Sequence, residues 1–172
     1  PERMRTKFRP KRRARENAAR LLPKLARDFF QAGDASVEDD LKGEEVHRFR
    51  IRAKRFRYVL EYFRPCYGVA LDAYLEGVKK LQAVLGDLND CCSTRAMLAE
   101  LLKPGDPPTR HKTLFAALER REKDLLEQYR TYWREAMEND EYRQKFLRYL
   151  THPPRERLKK TPTPAPEPQE AA

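Results

Sequence analysis

Between positions 47 and 58 the sequence places His47, Arg50, Lys54, Arg57 and Tyr58 at intervals i, i+3, i+7, i+10 and i+11. At about 100° per residue this spacing gathers all five onto one stripe of a helix. The chemistry available to such a stripe is anion binding. Guanidinium groups grip phosphate or carboxylate through paired hydrogen bonds, an ammonium adds a point charge, and a phenol and an imidazole add single donors. Like charges three and four residues apart repel by a few tenths of a kcal/mol per pair. A negative partner is therefore expected along the stripe. A purely solvated face would mix Glu with Lys, as later parts of this chain do.

A second polar stripe has the same spacing: Lys79, Gln82, Gly86, Asn89 and Asp90. Two helices bearing matched stripes are placed to face one another or to flank one groove. Gly86 costs about 1 kcal/mol relative to Ala in a helix interior, which points to close approach by another backbone or a ligand. Asn89 and Asp90 are expected to accept hydrogen bonds from Arg or Lys heads. A third basic set, Arg20, Lys24 and Arg27, with Lys11 and Arg15, lies on one face of an earlier helix and either extends the anion surface or is simply solvated. Arg110, His111, Arg120, Arg121 and Arg134 are further basic residues able to join such a surface.

These side chains require helices to carry them. Val46 to Arg64 reads as one helix whose opposite stripe, Phe49, Ala53, Phe56, Leu60 and Phe63, is suited to burial. Glu44 and Glu45 fall in its first turn, where negative charge suits the helix dipole, and the stretch from Pro65 to Gly68 ends it. Before it, a helix is predicted from about Lys11 with Ala14, Ala18, Leu21, Leu22, Leu25 and Phe29 inward. Gly33 is its expected stop, and Pro23 is a point for a kink or break. An acidic linker, 34–45, separates the two. A third helix is predicted over Leu71 to Leu102 with Leu81, Leu85, Leu88 and Cys92 inward, followed by a loop at 103–109. A fourth carries Leu114, Leu118, Leu125, Tyr129, Tyr132 and Ala136 inward to about Glu138. A short closing helix from Glu141 to Leu150 turns in Tyr142, Phe146 and Tyr149 or Leu150. The expected organisation is a basic arm at 1–10, an all-α bundle of four to five helices at 11–152, and a disordered Pro-rich tail at 153–172.

Composition narrows the partners. The 172 residues carry a net charge of +10, but residues 1–27 contribute +9, residues 28–46 −6, residues 47–64 +6 and residues 65–172 +1. Two segments therefore generate the positive field, which favours a polyanion. The three cysteines make no disulfide framework; Cys91 and Cys92 are adjacent, and Cys66 reads as a small core residue. A reducing compartment is the simpler reading, so a cytoplasmic location is expected. No run of about 18 apolar residues suggests a membrane span. His47, His111, His152 and the cysteines lack zinc-ligand spacing. No cofactor or metal is expected. Catalysis is not expected either, because phosphoryl transfer needs carboxylates to hold a metal and orient a nucleophile.

Two segments, HRFRIRAKRFRYVLEYF from His47 to Phe63 and LQAVLGDLND from Leu81 to Asp90, resemble the CHAD domains, a family of histidine-bearing all-helical proteins. The likeness extends more loosely over about residues 14–102. It implies a helical bundle whose basic surface binds inorganic polyphosphate. His47, Arg50, Lys54, Arg57 and Tyr58 then face the ligand, Lys79 joins them, and Gln82, Asn89 and Asp90 support them. CHAD proteins commonly carry two such repeats about a pseudo-twofold, whereas each motif occurs once here. Either the chain is a single-repeat or truncated member, or two copies pair as a homodimer to complete the groove. The alternative partner is nucleic acid, held by the same phosphate attraction. No helix-turn-helix, zinc-finger or RNA-recognition signature accompanies it, and the aromatic residues of the first segment mostly point to the core.

Overall fold

The computed structural model describes residues 8–38, 43–101 and 109–154. The expected arm before residue 8, the middle of the acidic linker, most of the 103–109 loop, the side chain of Arg110 and the tail from 155 lie outside these described residues. Five α-helices make up the fold, with no strand among the described residues: α1 (Ala14–Ala35), α2 (Gly43–Phe63), α3 (Ala70–Leu101), α4 (Thr109–Tyr132) and α5 (Asp140–Thr151). The expected all-α bundle is what the chain forms.

The α2 helix follows its apolar period. Phe49, Ala53, Phe56, Leu60 and Phe63 are all buried, and Val46 joins them. Pro65 lacks the N–H that would continue the α ladder, and the chain tightens into a 3-10 turn, Arg64–Cys66. Gly68 then adopts a left-handed φ of +72° and turns the chain into α3. Leu71, Leu75, Val78, Leu81, Leu85 and Leu88 form the buried stripe of α3.

Several local expectations need correction. The first helix begins at Ala14 rather than Lys11 and runs unbroken through Pro23, which is buried. It does not stop at Gly33 but continues to Ala35. Gly33 instead lies beneath the indole of Trp133: a Cβ there would come within 1.9 Å of the ring. Cys91, not Cys92, closes the buried stripe of α3. On α4, Leu114 is exposed and Leu118 only half-buried, while Leu125, Tyr129, Trp133 and Met137 are buried. Their even spacing of four arises because α4 passes into a π-helical turn, Trp133–Met137, whose wider winding brings Trp133 and Met137 inward. Tyr132 and Ala136 sit at the edge of the core.

The interior is an aromatic cluster. Phe29 of α1 stacks on Phe56 of α2 with ring centroids 4.7 Å apart, and Trp133 stands edge-on to Phe49 at 5.3 Å. Phe146 of α5 stacks on Tyr74 of α3 at 4.1 Å. A polar tie joins the end of α1 to the π turn and α5. The Trp133 indole N–H donates to Asp34 Oδ1 at 3.0 Å, and the Arg143 guanidinium, over the rings of Phe30 and Trp133, donates to both Asp34 oxygens. The buried face of α2 is thereby fixed against α1, α4 and α5, and its polar stripe is turned toward the seam with α3.

Candidate functional site

Two side-chain hydrogen bonds set the register of α2 against α3. His47 Nδ1 is 2.8 Å from Asn89 Oδ1, and Arg57 Nε donates to Gln82 Oε1 at 2.7 Å. Residue numbers rise along α2 as they fall along α3, so the two helices run antiparallel. The two polar stripes recognised in the sequence flank one seam. Arg50 and Lys54 lie between these crosslinks on α2, and Gly86 lies between them on α3. At 1.5 Å rise per residue the seam extends about 15 Å from His47 to Arg57.

The charges along the seam are unequal. Arg50 and Lys54 are half-buried and form no ion pair or hydrogen bond with any described residue. Arg57 differs: its Nη1 donates to Glu61 Oε1 at 2.6 Å, its Nε to Gln82, and its guanidinium lies 4.4 Å from the ring centre of Tyr58. A stripe free of carboxylates thus holds from His47 to Lys54 and ends at Arg57, because Glu61 is one helical turn further on. Tyr58 is 52% exposed. Lys79 pairs with Glu76 of its own helix at 2.7 Å, an exposed contact that an anion can displace at small cost.

Among the described residues, Asn89 and Asp90 do not hold Arg or Lys heads as expected. The Asn89 side-chain amide donates to Asp90 Oδ1 at 3.3 Å, which leaves Asn89 Oδ1 to accept from His47. An amide oxygen only accepts, so His47 Nδ1 carries a proton and Nε2 is the atom left for a ligand. The α3 residues therefore select the imidazole tautomer.

Gln82 uses only half of its amide. Arg57 has no acceptor atom, so the Gln82 oxygen must face it and the orientation of the amide is forced. Its Nε2 is buried with no hydrogen-bond partner among the described residues. Beyond the seam, Arg52 and Arg55 are exposed on the outer face of α2 without partners among the described residues. They extend the positive field and were visible in sequence only as off-stripe charges. Lys24 and Arg27 are exposed on α1 and likewise unpaired, whereas Arg20 is half-buried and engaged. His111 is half-buried on α4, and Arg120 and Arg121 are exposed. Among the described residues no three His, Cys, Asp or Glu side chains converge as a metal site, and no helix is long and apolar enough to cross a membrane.

A family model, that of the CHAD domain, matches residues 2–99. That span exceeds half of the chain and contains both stripes. No curated protein and no solved structure matches.

Proposed function

The chain belongs to the CHAD domain family, and on that membership together with the geometry of the α2–α3 seam we propose that it binds inorganic polyphosphate there without catalysing its breakdown. The observation that carries the reading is the pair Arg50 and Lys54, two cations that pair with no described residue, on one helix face between two crosslinks that hold the neighbouring polar groups in place. A linear phosphate chain presents regularly repeated charge and no bases. It needs a row of cations, and Arg50 and Lys54 on one helix face suit that need. Arg50 contributes a fork, Lys54 a point charge, Tyr58 a hydroxyl donor and His47 a donor when protonated. Arg57 is held partly in reserve by Glu61 at the end of the row.

The non-catalytic part of the reading rests on the acids nearest the seam. Glu61 is engaged by Arg57 and Asp90 by Asn89, which leaves neither poised to orient a nucleophile. Release of phosphate from polyphosphate by the protein with a divalent cation would overturn that part.

The test of ligand class is competition. Labelled long-chain polyphosphate is bound to the protein and challenged with duplex and single-stranded nucleic acid at equal phosphate concentration. The proposal expects polyphosphate to remain bound; displacement by nucleic acid would transfer the site to that ligand instead.

A further inference from the structure

We propose that Gly86 is the floor of a seat for one phosphoryl group, a notch kept open at the centre of the seam by the absence of a side chain; this rests on the polyphosphate reading and deepens it. Three glycines lie in helix interiors, beyond the first turn, among the described residues, and packing accounts for two of them. A Cβ on Gly33 would strike the Trp133 ring at 1.9 Å, and one on Gly77 would press on Met137 at 3.3 Å, where Tyr132 also donates to the Gly77 carbonyl. Gly86 has no such reason. A Cβ built there meets nothing within 4 Å. The fold therefore tolerates a less favourable helix former at a position where it has room for a better one.

Beside the notch stand donors for an anionic oxygen and one carboxylate, Asp90, one turn further along α3 and engaged by the Asn89 amide. Gln82 precedes Gly86 by one helical turn on the same face, and its buried Nε2 donor lacks a partner. Arg57 fixes that amide so that only the donor end remains. The chain places no carboxylate between the two crosslinks on α2, where Arg50 and Lys54 stand. A buried donor left without an acceptor costs free energy, and a phosphoryl oxygen entering over Gly86, one turn along the same face, would supply an acceptor once the atoms that cover Gln82 Nε2 shift. A side chain at 86 would occupy the space that this oxygen needs.

The test reads stability and binding together, because the two should move in opposite directions. Long-chain polyphosphate binding and thermal unfolding are measured for the wild-type chain, Gly86→Ala, Gly86→Leu and Gln82→Glu. Gly86→Ala is expected to raise the unfolding temperature by about 2–4 °C, as removal of an interior helix glycine should in a chain of this size. It should also weaken binding about threefold, with Gly86→Leu weakening it about tenfold or more while remaining folded. Gln82→Glu keeps the acceptor for Arg57 but replaces the free donor with an acceptor, and should also lose about tenfold. A lowered unfolding temperature in Gly86→Ala would assign the glycine to packing and overturn the seat. Unchanged binding in Gly86→Leu would also overturn the seat while leaving the polyphosphate reading intact, whereas failure of the wild-type chain to bind would remove both.

Discussion

At the scale of single residues, the His47–Asn89–Asp90 chain has a direct consequence for ligand contact. Asn89 Oδ1 accepts from His47 Nδ1, so Nε2 is the ring nitrogen left to meet a proposed ligand. His47→Ala is expected to lower polyphosphate affinity about threefold with the fold retained; unchanged affinity would assign His47 to packing. Cys92 makes a second case. Burial, with the nearby Glu122 carboxylate, pushes its thiol up to about 11. At pH 8 its thiolate population is then about a hundredfold below that of an ordinary thiol. Labelling by an alkylating reagent at pH 8 should leave Cys92 largely unmodified in the folded protein and modify it after denaturation; rapid labelling of the folded chain would contradict the environment described for it.

At the scale of elements, α2 was the most legible part of the sequence. Its two stripes are complementary in hydrophobicity and unbroken by Gly or Pro after its first residue, so period alone assigned both faces correctly. The match between its polar stripe and that of α3 also identified the seam. What remained hidden depended on partners distant in sequence. Gly33 resembles a helix stop because glycine is common there; its actual role depends on Trp133, a hundred residues away, for which local pattern holds no signal. The π turn escaped for a related reason, since a change of winding alters which residues face inward without altering composition. Asp90 looked like a partner for Arg or Lys, and only the fold showed that Asn89 claims it. Gly33→Ala tests the close approach. Overpacking against the indole should cost about 2 kcal/mol net, lowering the unfolding temperature by roughly 4–8 °C, in contrast to Gly86→Ala; an unchanged melting temperature would mean that the indole moves aside freely.

At the scale of the molecule, the uneven charge of the sequence maps onto particular elements. The segment at 47–64 forms α2 and delivers its cations to the seam and the adjoining outer face. The family match covers α1, α2 and nearly all of α3, while Trp133 and Phe146, which wedge the core, come from the part of the chain beyond it. The central claim is that Arg50 and Lys54 meet phosphates directly. The measurement that tests it is the slope of log affinity for long-chain polyphosphate against log salt, in the wild-type chain, Arg50→Ala and Lys54→Ala, with unfolding temperatures as a control. Each substitution should reduce the magnitude of the slope by about 0.7 to 1 and lower affinity about tenfold at low salt, with the fold retained. Slopes identical to wild type in both folded variants would contradict the account.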